Sequence, residues 1–204
     1  AAMKVESLDR GWFFNKGYES QSSEKIKVDL PHTWNAVDAM FGNVNYYRGM
    51  ATYSRLIVVP SSESGKRVFL RVKAAQTVAD VYLDNHFVAQ HKGGYTAFTI
   101  ELTPFIRRGE KQKLDIRVSN AQTMEIAPIC GDFNIWGGLN RGVELLFTDS
   151  VCIDPTFYGS SGVFFTQRNV SRQRAGLDIK VLLSGNEADL KDCSVEFSLL
   201  DAGR

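Results

Sequence analysis

Residues 131–142 read GDFNIWGGLNRG and combine one carboxylate, one tryptophan and one arginine with four glycines. The Asp132 carboxylate can accept two hydrogen bonds strengthened by its charge, and the Trp136 indole offers a broad apolar face. Glycines permit the sharp, irregular backbone path that would turn such groups outward. The stretch therefore predicts a loop held in one shape so that it presents side chains for binding.

Composition excludes several classes of protein. The 204 residues include 24 basic and 23 acidic ones, which gives a net charge of +1. A nucleic-acid or anionic-membrane binder is expected to be basic, so neither class fits. No apolar run reaches the roughly 18 residues of a membrane helix. The opening AAMKVESLDRGWFF is not a signal peptide; we expect a periplasmic or secreted protein whose signal was removed, with a cytosolic protein as the alternative.

The cysteines give no sign of a metal site. They are Cys130, Cys152 and Cys193, an odd number without C-x-x-C spacing. Zinc sites and disulfide frameworks need paired or closely spaced ligands. We interpret all three as free, buried or half-buried thiols, and the sequence predicts neither a cofactor nor a metal.

Alternation with a period of two dominates the middle of the chain and predicts an all-β fold. The alternating segments are 51–59, 66–72, 77–83, 86–91, 95–102 and 112–119. Asp84-Asn85 between two of them indicates a tight hairpin. Residues 103–108 predict one helical turn, with Thr103 as its cap and Pro104 in its first position. No long amphipathic helix is present, so a sandwich or jelly roll remains.

The first 50 residues are aromatic and irregular, which is typical of long ordered loops. We expect their aromatic side chains to crowd together over the open end of the sandwich: Trp12, Phe13, Phe14, Trp34, Phe41, Tyr46 and Tyr47.

The pattern changes after residue 154. Pro155 and residues 158–162 indicate a linker, and residues 163–170, 176–184 and 193–201 predict three more strands. Three strands make about half of a sandwich of roughly 100 residues. We therefore expect one domain over residues 1–154 and a truncated second one over 155–204, whose exposed strand edges pair with another copy or stay partly mobile.

Five segments taken together resemble the N-terminal sugar-binding domain of glycoside hydrolase family 2, which contains β-galactosidases, β-glucuronidases and β-mannosidases. They are LPHTWN (30–35), YYRGMATYSR (46–55), VADVYLDNHFVAQHKGGYTAF (78–98), LDIRVSN (114–120) and GDFNIWGGLNRGVEL (131–145). The resemblance covers about residues 8–154. Residues 155–204 resemble the opening of the family's immunoglobulin-like second domain.

The resemblance implies a jelly-roll, galactose-binding-like β-sandwich, then a partial immunoglobulin-like β-sandwich, and in the family a catalytic (β/α)₈ barrel after them. Family members hydrolyse glycosides with retention through two barrel glutamates, a chemistry that places two carboxyl groups about 5–5.5 Å apart. Glu187 in SGNE (184–187) matches the end of the family's acid/base motif. It lies in a predicted turn, where Gly-Asn is ordinary, so we assign no catalytic residue to this chain.

The resemblance also implies which residues contact sugar. In related members the acid of the D-F-x-N pattern reaches the −1 subsite, which makes Asp132 the first candidate; a turn acid that caps backbone N–H groups is the alternative. Asn134 orients Asp132, lines the pocket or serves the turn. Trp136 stacks on the sugar or packs beneath the loop, and Arg48 lies near the pocket mouth.

Other motif residues are expected to be structural. Arg141 matches the family's GGI-x-R arginine and would pair with a carboxylate or with loop carbonyls, although Gly142 stands where the family more often has Asp or Pro. Trp34 and His32 are interpreted as core and loop-bracing residues. The hairpin histidines, His86 and His91, are interpreted as surface residues.

Three functions remain in competition. The first is a non-catalytic N-terminal region of a family 2 enzyme, β-galactosidase-like, that buttresses the barrel and lends a loop to its sugar subsite. Its partners would be a β-galactoside or related β-glycoside and its own barrel, with a homo-oligomer left open. The second is a stand-alone carbohydrate-binding module or lectin. The third is an interaction domain in which Asp132 plays no part.

Overall fold

The computed structural model describes residues 3–17, 24–36, 46–121 and 136–200. Within these ranges the chain forms short antiparallel strands, two 3₁₀ turns and one short α-helix, so the predicted all-β fold is confirmed. In chain order the strands are β1 (Lys4–Ser7), β2 (Trp12–Lys16), β3 (Ile26–Val28), β4 (His32–Thr33), β5 (Met50–Val58), β6 (Arg67–Val72), β7 (Val78–Leu83), β8 (His86–Lys92), β9 (Phe98–Glu101), β10 (Lys111–Ser119), β11 (Gly138–Leu139), β12 (Val143–Thr148), β13 (Cys152–Ile153), β14 (Val163–Arg168), β15 (Gly176–Val181) and β16 (Leu183–Ser184).

Two sheets form the main sandwich. One has four strands in the order β1-β12-β6-β9, and the other has six in the order β3-β2-β5-β10-β7-β8. Alternation along β10 turns Leu114, Ile116 and Val118 into the core, where each is fully buried. Leu70 and Leu145 meet them from the smaller sheet and are equally buried. Burying one such side chain contributes roughly 1.5–3 kcal/mol, so the period-two pattern is what holds the sheets together.

The hairpin between β7 and β8 forms as predicted. Asp84 and Asn85 have φ values of 48° and 65°, and this left-handed pair matches the twist of the flanking strands. The predicted strands between residues 51 and 119 are also present. The largest difference is at β9, which is predicted to begin at residue 95 and begins at Phe98.

The predicted cap of the turn after β9 is wrong. The 3₁₀ turn covers Thr103–Phe105, and the residue before it is Leu102, whose side chain makes no capping bond. The Thr103 hydroxyl instead accepts the Val68 N–H at 2.9 Å and donates to the Glu101 carboxylate at 2.9 Å. The hydroxyl therefore joins β6 to β9 rather than closing its own turn.

The end of the described chain departs from prediction in two places. Asn186 of the SGNE sequence begins a helix, α1 (Glu187–Lys191), by accepting the Asp189 N–H at 2.8 Å. Asparagine is a favoured N-cap residue, so the Gly-Asn pair that predicts a turn here begins a helix instead. The strand predicted over 193–201 is absent from the described residues 193–200, which are exposed and irregular. Alternation predicts a strand only where a neighbouring strand supplies hydrogen bonds, and no described strand pairs with this segment.

Residues 152–184 contact the main sandwich through Arg67. Its guanidinium forms a bidentate pair with Glu101, with both N···O distances 2.9 Å, and donates to Ser184 Oγ at 3.0 Å. β13 pairs with β16, and β14 with β15. The domain boundary after residue 154 and the pairing of 155–204 with another copy stay predictions.

Candidate functional site

A cleft of about 410 Å³ opens beside the short β4–β11 ladder. Two exposed aromatic side chains lie among its walls, Trp136 at 44% exposure and Tyr95 at 77%. None of the described lining side chains is acidic or is a lysine or arginine. The lining residues are Pro31, His32, Thr33, Gln76, Tyr95, Trp136 and Asn140.

The backbone on either side of Trp136 is tied down by hydrogen bonds. The Gly137 carbonyl accepts from Thr33 Oγ1 at 2.8 Å and from the Trp34 N–H at 3.2 Å. The Gly138 carbonyl accepts the Gln76 N–H at 3.0 Å. Asn140 Nδ2 donates to the Trp136 carbonyl at 2.8 Å. The cleft wall therefore has a fixed backbone even though it contains little regular structure.

Two glycines let this backbone approach its neighbours closely. A Cβ on Gly137 would lie 2.0 Å from Cζ2 of Trp34. Gly138 has φ +139°, and its Cβ would lie 2.4 Å from the His32 carbonyl oxygen. Only glycine fits at either position. The tryptophan that packs beneath this turn is thus Trp34, which is 5% exposed.

A buried pair of asparagines joins three segments under the cleft. Asn35 Oδ1 accepts the Gly137 N–H at 2.8 Å and Asn120 Nδ2 at 3.3 Å. Both asparagines donate to the Tyr47 carbonyl, at 3.1 and 3.2 Å. Asn120 Oδ1 accepts the Gly49 N–H at 2.8 Å. Both side chains are fully buried, where a satisfied amide network fixes the relative positions of the segments it joins.

The His32 ring sits between the cleft and the core. Its Nδ1 lies 2.7 Å from the Tyr53 hydroxyl, and its ring centroid lies 4.7 Å from that of Phe14. Tyr53 is fully buried, and this burial raises the pKa of its phenol. Burial also lowers the pKa of the His32 imidazole. Both side chains are therefore neutral around pH 7.

Of the four predicted sugar-contact residues, Trp136 lies at the cleft and the Asp132 and Asn134 predictions fall outside the described residues. Trp136 is 44% exposed, and its contact with sugar stays a prediction. Arg48 is exposed, with its guanidinium carbon 5.9 Å from the Tyr46 ring centroid, and is not among the described residues that line the cleft.

The structural expectations have mixed outcomes. Trp34 is a core residue as predicted, whereas His32 braces the loop and also reaches the cleft. Arg141 is exposed, and its predicted pairing stays a prediction. His86 is exposed as expected. His91 is half-buried, with its ring centroid 4.3 Å from that of Phe98, so it is less exposed than His86.

The predicted aromatic crowding is confirmed for part of the set. Trp12, Phe14 and Trp34 are buried, with Phe14 and Trp34 stacked at 6.1 Å. Phe13 is the exception at 44% exposure, since it is on the opposite face of β2 from its neighbours. Phe41 lies outside the described residues.

Sequence reasoning missed Gln76, Tyr95 and Asn140 as cleft residues. Alternation places Tyr95 in a strand, although the two glycines before this aromatic residue also indicate an exposed loop. Gln76 lies 2.6 Å from the position of a Gly94 Cβ, so this glycine makes room for the amide. No local pattern marks Asn140.

The described residues contain no cluster of three or more His, Cys, Asp or Glu side chains arranged to hold a metal ion. Cys152 is a half-buried free thiol as expected, whereas Cys193 is an exposed one, so the prediction that it is buried or half-buried is wrong. Cys130 lies outside the described ranges. No helix of the described chain is long and apolar enough to cross a membrane.

Comparison with known proteins agrees with the resemblance seen in the sequence. Residues 14–149 match the family described as glycosyl hydrolases family 2, sugar binding domain. A β-glucuronidase of Bacteroides fragilis is 41% identical over 182 residues, which are 89% of this chain and 26% of that protein. A β-galactosidase of Thermoanaerobacter pseudethanolicus is 28% identical over 163 residues, which are 78% of this chain and 21% of that protein.

The fold agrees as well. The crystal structure of a β-glucuronidase from Bacteroides uniformis superposes with a TM-score of 0.80 at 34% identity, covering 87% of this chain and 22% of that one. The chain thus spans about a quarter of the length of the relatives it matches. With the family match extending over residues 14–149, this chain belongs to the sugar-binding domain family of the family 2 glycoside hydrolases.

Proposed function

We propose that this chain is the non-catalytic N-terminal carbohydrate-binding region of a family 2 glycosidase. It buttresses the catalytic barrel and lends one wall to the sugar subsite. The observation that carries the proposal is the cleft, where the exposed Trp136 face lies among neutral hydrogen-bonding side chains. A sugar ring has an apolar C–H face and polar hydroxyl edges, so it matches an indole face beside donors and acceptors.

Asp132 completes this wall in the proposal. It stands four residues before Trp136, and four residues of extended chain span at most about 14 Å. We infer that its carboxylate serves the same sugar subsite as Trp136. In the proposal Asn134 orients Asp132 or lines the pocket. Arg48 is assigned to the pocket mouth by the family resemblance, outside the described lining of the cleft.

The substrate is a β-galactoside or a β-glucuronide. The relatives carry both names: the one at 41% identity is a β-glucuronidase and the one at 28% is a β-galactosidase. The described cleft wall has no basic side chain apart from a histidine that burial keeps neutral. This wall therefore suits the ring and its hydroxyl groups, and recognition of a uronate carboxylate would have to come from other residues.

The test is Trp136→Ala in the full-length glycosidase, assayed on nitrophenyl β-D-galactoside and β-D-glucuronide. Loss of a stacking face is expected to lower kcat/KM about tenfold or more on the accepted substrate, with little change in Tm because the side chain is 44% exposed. The matched control is Phe165→Ala, an aromatic residue of β14 that is 65% exposed. Equal activity of the two variants would contradict the proposal.

The isolated chain gives an independent check. Because it supplies one wall of the subsite, it should bind methyl β-galactoside or methyl β-glucuronide only weakly, with a dissociation constant in the millimolar range or above. Tight binding in calorimetry would favour a stand-alone carbohydrate-binding module instead.

A further inference from the structure

The His32 ring is held in one orientation by contacts on several sides. Its backbone is paired with Leu139 across the β4–β11 ladder. Its ring lies 4.7 Å from the Phe14 ring and 5.6 Å from the Tyr53 ring, between centroids. Its Nδ1 is 2.7 Å from the Tyr53 hydroxyl oxygen. These contacts direct Nδ1 toward the Tyr53 hydroxyl.

The Tyr53 hydroxyl determines which nitrogen carries the proton. The phenol is fully buried, and among the described residues the hydrogen bond of its hydroxyl is the one with Nδ1 of His32, at 2.7 Å. Its own proton needs an acceptor, because a buried hydroxyl without one loses free energy. Nδ1 of His32 is in place to accept it. The neutral imidazole then carries its proton on Nε2.

The Nε2 edge is the part of the ring available to the cleft. In an imidazole the two nitrogens point in diverging directions, so turning Nδ1 to the interior turns Nε2 outward. His32 is half-exposed and lines the cleft with Trp136 and Asn140. Within the described part of the chain, the hydrogen bond of the His32 side chain is the one between Nδ1 and the Tyr53 hydroxyl. A ring that served only to brace the loop would be expected to use both nitrogens inside.

We propose that His32 is a sugar-binding residue whose Nε2–H donates a hydrogen bond to a hydroxyl oxygen of the ring that lies on Trp136, and that Tyr53 is the positioning residue that fixes this tautomer. The inference rests on the proposed function, because it places His32 in the same subsite. It adds a donor that neither the family motif nor the sequence pattern indicated.

The charge state of His32 supports this role. The titratable groups that face it are Tyr53 behind the ring and Tyr95 in the cleft lining, and no acidic, lysine or arginine side chain is among the described lining residues. Burial lowers the pKa of His32 below its usual value of 6.5. The Nε2–H donor with Nδ1 as acceptor therefore persists into mildly acidic solution, where a free histidine would be charged.

The first test needs no sugar. Long-range ¹H–¹⁵N correlation spectra of this chain, labelled at histidine, report which nitrogen is protonated. We expect His32 to be the neutral Nε2–H tautomer at pH 7 and Tyr53→Phe to increase its Nδ1–H fraction. An Nδ1–H tautomer or an imidazolium at pH 7 would overturn the inference.

The second test uses the full-length enzyme and three variants. His32→Leu should raise KM about 3- to 10-fold, the factor expected for one lost neutral hydrogen bond. His32→Gln keeps an N–H at similar reach and should recover part of this loss. His86→Gln is the control, since His86 is exposed and outside the cleft lining. If His32→Leu fails to fold, the KM of His32→Gln relative to the His86→Gln control and the tautomer spectra still test the role of His32.

The outcomes separate the two proposals. Kinetics of the His32 variants equal to the control, together with a loss in Trp136→Ala, would make His32 a brace and leave the proposed function standing. Kinetics unchanged in all of these variants would remove the cleft from the sugar subsite, and both proposals would fail.

Discussion

Asn35 Oδ1 accepts the backbone N–H of Gly137 at 2.8 Å, although the two residues are 102 positions apart. The same oxygen accepts Asn120 Nδ2. Residues 120 and 137 are the described positions close to either end of the stretch that contains Asp132. One buried amide thus holds both ends of the segment that the proposed function assigns to the sugar subsite.

Asn35→Ala is expected to lower the free energy of unfolding by about 2–4 kcal/mol. The change leaves the buried N–H of Gly137 unpaired, which costs about 1–3 kcal/mol. It also removes one donor to the Tyr47 carbonyl, which keeps Asn120, and it removes buried side-chain packing. Urea denaturation followed by tryptophan fluorescence measures the difference. Gln173→Ala is the control, an exposed amide that should change stability by less than about 0.5 kcal/mol. Equal midpoints for the two variants would show that the amide network contributes nothing.

Gly137→Ala should be more harmful than an ordinary glycine replacement. The new Cβ would lie 2.0 and 2.3 Å from two atoms of the buried Trp34 ring, so the ring or the turn must move. Overpacking of this kind costs about 1–3 kcal/mol or more. Gly176→Ala in β15, where the nearest atom would lie 3.3 Å away, is the matched control. The two changes in Tm should differ clearly, and similar small shifts would mean that the turn can relax.

Glu101 should make the stability of the fold depend on acid. Its hydrogen bonds from Arg67 hold the pKa of this carboxyl below its usual value, and the pKa of Arg67 is raised by the same pair. The unfolded chain therefore takes up a proton at higher pH than the native one. The contribution of the pair is fully present above the unfolded value of about 4.5 and is lost as pH falls through the lower folded pKa.

Glu101→Gln is accordingly expected to lower the free energy of unfolding by on the order of 1–2 kcal/mol at pH 7. The difference from the unmodified chain should shrink as the pH falls below about 4.5. Asp178→Asn breaks the pair with Arg168, whose side chains are 55% and 67% exposed, and serves as the control with an effect near zero. A deficit of Glu101→Gln that does not change with pH would assign its effect to packing rather than to charge.

The sandwich could be predicted from the sequence because its determinants are local. The alternation along β10 and the Asp84-Asn85 turn each carry their own conformational preference, and both formed as expected. Two predictions were wrong because the local sequence pattern does not specify which residues a side chain or a strand will pair with. The Thr103 hydroxyl hydrogen-bonds to Glu101 and Val68 instead of capping its own turn. Residues 193–200 do not pair with any described strand.

The cleft was less predictable because long-range contacts build it. Trp136 could be recognised by its setting in a glycine-rich stretch, and it lies at the cleft. The pairing of Asn35 with Asn120 spans 85 positions and leaves no periodic trace. The bond between His32 and Tyr53 likewise depends on β4 and β5 meeting in space. Residue type gave the candidates, and only the packed structure shows which of the described ones face the same space.

The most direct test of the central claim is the kinetics of Asp132→Ala in the full-length glycosidase. If the stretch around Trp136 forms a wall of the sugar subsite, loss of the carboxylate should lower kcat/KM by about 10- to 1,000-fold on the accepted β-glycoside, because charge-assisted hydrogen bonds to the sugar are lost. The Tm should change little. Activity equal to that of the unmodified enzyme would contradict the account and leave this chain as an interaction domain without a role in sugar binding.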